Sequence, residues 1–169
     1  MTSSHPTSHP TLHMFCGKIA AGKSTLAAQL ARQPGTLLIA EDRWLAALFA
    51  GQLRTGADYL RCSGRLQSIM APHVAALLDS GLSVVLDFAA NTRQQRHWLR
   101  GLASRSGLRH QMHVLLPPDA VCLARLRSRN ASGDHPFAAT EAQFHQFAKH
   151  FQPPAADEGF ELVYHDQPG

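Results

Sequence analysis

The chain has 169 residues, of which 44% are hydrophobic and 17% are charged, so its length fits one ordinary domain with a sizeable core. Sixteen Lys and Arg residues against twelve Asp and Glu residues give a net charge of +4, well short of the basic excess expected of a dedicated nucleic-acid binder. No apolar run approaches the roughly eighteen residues of a membrane span, and the N-terminus has no secretory signal pattern. The three cysteines form no C-x-x-C pair, so reduced thiols and a cytoplasmic location are expected.

The first ten residues differ in composition from the rest of the chain. They hold two prolines and no large apolar residue after Met1, which predicts a disordered tail over residues 1–10 and a single domain over residues 11–169. His5, His9 and His13 recur at the spacing of a metal site on a helix, but the prolines between them forbid that helix. We therefore expect a solvated tail and no metal site there.

From residue 12 onward, short apolar runs alternate with longer helical patterns. The apolar runs predict five strands, at residues 12–16, 36–40, 83–88, 110–116 and 162–165. Apolar periodicity predicts six helices, over residues 24–32, 42–50, 57–80, 91–107, 119–130 and 140–150, the third of them kinked at Pro72. This alternation indicates the α/β fold class, as a three-layer sandwich with a five-stranded parallel sheet.

Two of these helices begin with a capping-box pattern. Asn91 with Gln94 predicts the start of the fourth helix, and Thr140 with Gln143 predicts the start of the sixth. Residues 131–139 separate the fifth and sixth helices and have the composition of a loop.

Residues 17–24 read G-K-I-A-A-G-K-S, the phosphate-binding pattern G-x-x-x-x-G-K-S, between a predicted strand and a predicted helix. The glycines let backbone N–H groups converge on phosphate oxygens, and the helix offers its positive N-terminal dipole to the same anion. Lys23 is expected to reach the β- and γ-phosphates of ATP, Ser24 to bind Mg²⁺ through its hydroxyl, and the side chain of Lys18 to face solvent. The ATP-binding residues predicted in this stretch are Gly17, Lys18, Ile19, Ala20, Ala21, Gly22, Lys23, Ser24 and Thr25.

Carboxylates follow the second and third predicted strands, at the edge where open α/β sheets bind ligands. Asp87 ends the third strand and is expected to order the metal with Ser24, or else to cap the next helix. Asp42, after Glu41, is a candidate catalytic base or the N-cap of the second helix, and one residue can serve both purposes. Arg43 beside it is expected to hold a phosphate or a carboxylate of the substrate, or to be merely exposed.

Arginines cluster on two predicted helices. Arg93 and Arg96 lie on one face near the start of the fourth helix and are candidate acceptor ligands, whereas Arg100, two turns further on, is expected at the surface. Arg125 and Arg129 share a face of the fifth helix, immediately before the loop 131–139. That arrangement is typical of a mobile lid that brings guanidinium groups onto a transferring phosphoryl group, and an exposed basic helix is the alternative.

Taken together, these motifs resemble the small P-loop kinases related to phage polynucleotide kinase, zeta toxins, gluconate kinase and chloramphenicol phosphotransferase, and the chain looks like a bacterial AAA-type ATP-binding protein. The resemblance rests on G-K-I-A-A-G-K-S, on E-D at residue 41, on V-V-L-D-F-A-A-N-T-R-Q-Q-R at residue 84 and on R-L-R-S-R-N at residue 125. It implies the sheet order 2-3-1-4-5, a helical lid, and ATP-dependent transfer to a hydroxyl group. The sequence departs from many members at Leu45, where they have arginine.

The resemblance also assigns roles to the individual residues. Implied catalytic residues are Lys23, Asp42, Arg125 and Arg129, of which the two arginines also bind ATP, and the implied metal ligands are Ser24 and Asp87. With Arg43 and Arg93, which are predicted from their positions, the substrate-binding residues expected from the sequence are Asp42, Arg43, Asn91, Thr92, Arg93 and Arg96.

The leading hypothesis is a phosphotransferase that moves the γ-phosphoryl group of Mg-ATP to a hydroxyl of a small molecule, with Asp42 as the base and with an acceptor pocket built mainly from residues 42–80. A polynucleotide 5′-hydroxyl kinase is one alternative, disfavoured because aromatic residues make up only 7% of the chain. A nucleotide-dependent switch that hydrolyses ATP slowly is the other.

Overall fold

The computed structural model describes residues 9–104, 108–133 and 138–165. It contains one sheet of five parallel strands in the order β2-β3-β1-β4-β5, which confirms the predicted order. The strands are β1 (Thr11–Cys16), β2 (Thr36–Ala40), β3 (Ser83–Asp87), β4 (Arg109–Leu115) and β5 (Leu162–His165). Most of the predicted tail, and part of the loop predicted at 131–139, lie outside the described residues.

Helices connect the strands as the sequence pattern predicts. They are α1 (Lys23–Leu30), α2 (Glu41–Leu48), α3 (Gly56–Asp79), α4 (Arg93–Ala103), α5 (Asp119–Ser132) and α6 (Glu141–Lys149), and a short 3₁₀ turn covers Ala156–Glu158. Helix α3 continues through Pro72 without ending there. In the described ranges, no helix is both long and apolar enough to cross a membrane.

The start of α4 differs from the prediction by one residue. Its N-cap is Thr92, whose side chain accepts a hydrogen bond from the Gln95 backbone N–H, so the predicted cap of Asn91 with Gln94 is wrong. The physical reason is that the Asn91 side chain accepts instead from the backbone N–H of Gly17, at the end of β1. The predicted capping box of Thr140 with Gln143 at α6 is confirmed.

The sheet is buried on both faces, as its continuous apolar strands predict. Met14 of β1 lies in register between Leu86 of β3 and Met112 of β4, and all three are fully buried. The face with Met14 packs against α3 and α4, and the opposite face, which carries Phe15, packs against α1. A third cluster joins α5 and α6 to the end of β4 and to Ala21 of the phosphate loop. The loop that follows β1 is therefore supported by the end of β4 and by the packed helices α5 and α6.

Candidate active site

The phosphate loop joins β1 to α1 through backbone conformations that favour small residues. Ala20 has a φ of 59° and Gly22, the N-cap of α1, has a φ of 103°, both in the left-handed region. At Gly17 a Cβ atom would lie 2.7 Å from the carbonyl oxygen of Leu115, too close for any side chain. The loop therefore needs glycine at both ends of the motif, where the chain turns tightly against β4 and then enters the helix.

Lys23 folds back over this loop. Its Nζ donates hydrogen bonds to the carbonyl oxygens of Gly17, at 2.6 Å, and Lys18, at 2.8 Å. Burial lowers the pKa of Lys23, and the nearby carboxylate of Asp87 opposes that shift. An ammonium group that is removed from water and hydrogen-bonded to carbonyl oxygens favours an additional anion, so the loop fits the phosphates of a nucleotide.

Ser24 and Asp87 meet at the carboxyl edge of the sheet. The Ser24 hydroxyl donates to the Asp87 carboxylate over 2.8 Å, because β3 lies beside β1 and both strands end at this level. Asp87 does not cap α4, since that position belongs to Thr92. A hydroxyl and a carboxylate oxygen are hard ligands that suit Mg²⁺, so this pair could hold the metal beside the nucleotide phosphates.

Asp42 on α2 interacts electrostatically with residues of two other helices. It is the second residue of α2, whose N-cap is Ala40, so the alternative that Asp42 is the N-cap is wrong. The negative charge of Asp42 raises the pKa of both Lys23 on α1 and Arg129 on α5, against the burial of each. Asp42 is half-buried, and its carboxylate and these two cationic groups stabilise one another's charged forms. Arg43, the next residue, is exposed.

Two of the three arginines of α5, Arg125 and Arg129, interact with residues of this region. Arg125 donates from Nη1 to the carbonyl oxygen of Ala21 at 3.2 Å. The Nε of Arg129 is buried and has no hydrogen-bond partner among the described residues. Burial lowers the pKa of Arg129, opposed by the charge of Asp42. A buried guanidinium N–H without a partner is costly, and an oxygen of a bound phosphoryl group would satisfy it.

Lys18 is held differently from the sequence-based expectation. Its Nζ makes a 2.6 Å ion pair with Asp119 at the start of α5 and lies 5.7 Å from the centroid of the Phe151 ring, so its side chain does not simply face solvent. A cavity of about 160 Å³ lies beside it, and the residues that line it are Lys18, Leu115, Leu116, Pro117, Phe151 and Pro153. Through Lys18, the phosphate loop is tied to the helix that carries Arg125 and Arg129.

Two predicted acceptor ligands, Arg96 and Arg93, make hydrogen bonds and ion pairs within the protein. All five N–H groups of the Arg96 guanidinium have acceptors: Glu158, at 2.7 and 2.9 Å, and the carbonyl oxygens of Ala90, Gln152 and Pro153. Its side chain is only 1% exposed. The prediction that Arg96 binds the acceptor is therefore wrong, because no donor is left for a ligand.

Arg93, the neighbouring candidate, makes a two-pronged ion pair with Asp157, with both N–O distances at 3.0 Å. This pair is largely exposed. Arg93 and Arg96 thus hold the 3₁₀ turn Ala156–Glu158 against α4, and the acceptor role of the exposed Arg93 stays a prediction.

Asn91 and Thr92 organise the turn after β3. The Asn91 side-chain oxygen accepts from the Gly17 N–H at 3.0 Å, and the Asn91 backbone carbonyl accepts from the Gln152 N–H at 2.9 Å. Thr92 caps α4. In this structure both residues contact protein groups that support the phosphate loop and the start of α4.

Glu41 is the residue that sequence reasoning left without a role. It is 3% exposed, and it accepts hydrogen bonds from the Ser63 hydroxyl at 2.5 Å, the Tyr59 hydroxyl at 3.0 Å and the Ala89 backbone N–H at 3.1 Å. Tyr59 and Ser63 both belong to α3, within the region 42–80 in which the acceptor pocket was predicted. The sequence did contain a partial indication of this cluster, because Tyr59 and Ser63 lie four residues apart on one face of a predicted helix. Their contact with Glu41 could not be predicted, because no local pattern connects that helix with Glu41.

This sheet order, a G-x-x-x-x-G-K-S loop between β1 and α1, and a carboxylate at the end of β3 define the P-loop kinase fold. The chain belongs to the AAA domain family, whose model matches residues 12–154. None of the curated proteins compared with the chain matches it significantly.

Solved structures share this fold at low sequence identity. A protein of Chloroflexus aurantiacus assigned as a kinase is 22% identical, with a TM-score of 0.70 over 93% of this chain and 88% of the other. A sugar kinase of Janibacter sp. HTCC2649 is 19% identical, with a TM-score of 0.62 over 95% and 88% of the two chains. The APS kinase of Mycobacterium tuberculosis, solved with AMPPNP and APS, is 16% identical, with a TM-score of 0.60 over 95% and 91%.

Proposed function

We propose that this protein is an ATP-dependent phosphotransferase that moves the γ-phosphoryl group of Mg-ATP to a hydroxyl of a small molecule in the cytoplasm. The observation that carries the proposal is the phosphate loop, where the Lys23 ammonium group lies against the loop backbone and the Ser24 hydroxyl contacts the Asp87 carboxylate. Cationic groups that surround a phosphate loop stabilise the charge of a transferring phosphoryl group, and a carboxylate among them can take the proton of the acceptor. Kinases among the structural relatives support the same class of reaction.

When bound, Mg-ATP supplies the transferable phosphoryl group and the leaving oxygen. The loop residues 17–25 bind its phosphates through backbone N–H groups and the start of α1. Lys23, Arg125 and Arg129 carry the positive charge that offsets the negative charge on the phosphoryl oxygens. Ser24 and Asp87 hold the metal ion in place.

Asp42 acts on the acceptor side of the site. It accepts the proton from the acceptor hydroxyl while the oxygen of that hydroxyl forms its bond to the γ-phosphorus and the bond to the β,γ-bridging oxygen breaks. In this proposal the acceptor binds beside Asp42, in the region of residues 42–80, and its hydroxyl attacks the γ-phosphorus opposite the leaving oxygen. A sugar hydroxyl is the first class to test, since a sugar kinase shares the fold.

The test uses purified protein, Mg-ATP and a panel of sugars, nucleosides, other hydroxylated metabolites and 5′-hydroxyl oligonucleotides. We expect one small-molecule class to raise ATP consumption and to become phosphorylated. Asp42→Asn should reduce that turnover by at least about a hundredfold, the usual contribution of a general base, and should leave ATP affinity within about threefold. Asp79→Asn is the matched control. Asp79 is exposed at the C-terminal end of α3, and this variant should retain full turnover.

Three results would count against the proposal. Turnover retained by Asp42→Asn would mean that another group is the base. Phosphorylation confined to the oligonucleotides would make the protein a polynucleotide kinase. Tight ATP binding that no acceptor converts into turnover would favour a nucleotide-dependent switch.

A further inference from the structure

Asn91 makes a hydrogen bond with each of three separate segments of the chain. Its side-chain oxygen accepts from the Gly17 N–H at 3.0 Å, its backbone carbonyl accepts from the Gln152 N–H at 2.9 Å, and its own N–H donates to the Gln95 side chain at 2.9 Å. Gly17 begins the phosphate loop, Gln152 follows α6, and Gln95 belongs to the first turn of α4. Asn91 therefore fixes the start of the loop relative to two other parts of the fold.

The bond to Gly17 is the one that reaches the phosphate site. Strand β1 ends at Cys16, so Asn91 supplies the acceptor that a neighbouring strand would otherwise offer to the next backbone N–H. Gly17 is buried, and a buried N–H that loses its acceptor is destabilising. The approach of the Leu115 carbonyl oxygen limits how near Gly17 can come to β4, whereas the hydrogen bond to Asn91 attracts the loop and holds it in place.

Gly17 connects Asn91 with Lys23. The N–H of Gly17 is held by Asn91, and the carbonyl oxygen of the same residue accepts from the Lys23 Nζ at 2.6 Å. If the Asn91 oxygen is removed, the Gly17 N–H turns towards another acceptor, and its carbonyl oxygen no longer has a fixed direction. The position of the Lys23 ammonium group thus depends on Asn91 through two consecutive hydrogen bonds.

Asn91 is itself held firmly in place. Arg96, which is buried, donates to the carbonyl oxygen of Ala90 at 3.0 Å and to that of Gln152 at 2.7 Å. The Arg93 backbone N–H donates to the Gln152 side-chain oxygen at 3.0 Å. Both the residue before Asn91 and its backbone partner are therefore anchored to α4, so the Asn91 side chain projects from a rigid support.

We propose that Asn91 is a positioning residue, which holds Gly17 so that the Gly17 carbonyl oxygen keeps the Lys23 ammonium group over the phosphate loop. This inference rests on the nucleotide binding of the proposed function. It gives Asn91 a role towards the nucleotide, whereas the sequence predicts a role towards the acceptor. The role requires an oxygen acceptor at residue 91, and Asn91 acts on the nucleotide through Gly17 and Lys23.

The first measurement is amide hydrogen exchange, followed by NMR on the nucleotide-free protein. In the wild type, the Gly17 N–H should exchange at least about a hundredfold more slowly than an unstructured amide. Asn91→Leu keeps the size of the side chain and removes the acceptor, so it should raise the Gly17 rate at least about tenfold more than the rate of Met14 in the middle of β1. Asn91→Asp keeps an oxygen acceptor and should retain the Gly17 protection.

The second measurement is a double-mutant cycle on ATP affinity, determined by calorimetry. Asn91→Leu should weaken ATP binding by about 5- to 10-fold when Lys23 is present. In the Lys23→Ala background the same change should weaken it by less than about twofold, because the group that Asn91 positions is gone. Gln111→Leu is the matched control, since it removes an amide contact with Glu161 towards the opposite end of the sheet and should leave ATP affinity unchanged.

Three results would overturn the inference. One is a wild-type Gly17 amide that exchanges as fast as an unstructured one, a result that does not depend on how any variant folds. Another is a Gly17 rate that Asn91→Leu raises no more than the Met14 rate, and the third is a loss of ATP affinity that is equally large with and without Lys23. Failure of the proposed function is seen separately, as absence of ATP binding or phosphoryl transfer by the wild type, because the exchange rates are measured without nucleotide.

Discussion

The Ser24 hydroxyl donates a hydrogen bond of 2.8 Å to the carboxylate of Asp87, although 63 residues separate them in the chain. One residue belongs to the first turn of α1 and the other ends β3, so their contact depends on the insertion of β3 beside β1. The phosphate loop and the metal-ordering carboxylate are thus brought together by strand order and not by proximity along the chain.

This contact predicts how ATP binding depends on magnesium. Ser24→Ala removes a hydroxyl ligand of the metal while it leaves the loop backbone in place. Loss of one such interaction costs about 1–3 kcal/mol, so the Mg²⁺ concentration that half-saturates ATP binding should rise by about 5- to 150-fold. Calorimetric titration of ATP at several Mg²⁺ concentrations measures this. Ser68→Ala, on the exposed side of α3, should behave like the wild type, and an unaltered Mg²⁺ requirement in Ser24→Ala would exclude Ser24 as a ligand.

Lys23 should dominate nucleotide affinity. Its ammonium group is buried over the loop, and hydrogen bonds between charged partners contribute about 1.5–3 kcal/mol each, so Lys23→Ala should weaken ATP binding by about 10- to 100-fold. Lys149→Ala, on the exposed last turn of α6, is the matched control. Equal ATP affinity of the two variants would show that the loop does not bind phosphate through Lys23.

The ion pair of Arg96 with Glu158 should be important for stability. Arg96→Met leaves Glu158 and three carbonyl oxygens without their donor in a buried setting, which should lower the free energy of unfolding by about 3 kcal/mol. Arg93→Met removes the neighbouring, exposed pair with Asp157 and should cause no measurable change. Urea denaturation compares the two variants, and equal stability would mean that the segment after α6 does not depend on the buried pair.

A row of three histidines predicts acid sensitivity. His113 on β4 lies between His13 on β1 and His165 on β5. Nε2 of His113 is 3.0 Å from Nδ1 of His13, and Nδ1 of His113 is 2.8 Å from Nε2 of His165. Burial, together with the neighbouring histidines, lowers the pKa of His113 to about 4. The unfolded chain takes up this proton near pH 6.5 and the folded chain does so only near pH 4, so stability is full above pH 6.5 and declines as the pH falls towards 4.

The variant that tests this is His113→Gln, which removes the titrating ring. It should reduce the loss of unfolding free energy between pH 6.5 and 4 by about 2 kcal/mol. His73→Gln removes an exposed histidine of α3 and should leave the slope unchanged. Thermal unfolding across that pH range gives the comparison, and parallel slopes for His113→Gln and the wild type would assign the acid sensitivity to other groups.

The strands could be predicted because their signal is local. The run predicted at residues 12–16 is observed as Thr11–Cys16, and the run predicted at 36–40 is observed as Thr36–Ala40, since a strand buried on both faces must be apolar throughout. The order of the strands was not in the periodicity and came from the resemblance. The start of α4 was missed by one residue because both Asn91 and Thr92 can cap a helix, and a contact with Gly17, 74 residues away, decided between them.

The sequence by itself determined the phosphate loop, the alternation of strands and helices and the candidate carboxylates, because each is a property of neighbouring residues. Only the tertiary structure decided what the long polar side chains do. Arg96 meets Glu158 across 62 residues, Lys18 meets Asp119 across 101, and Glu41 meets Ser63 across 22. An arginine or glutamate pattern is the same on a ligand-binding face and on a buried one. The role of each such side chain depends on the partner that lies opposite it in the folded chain. Strand order and helix packing determine that partner.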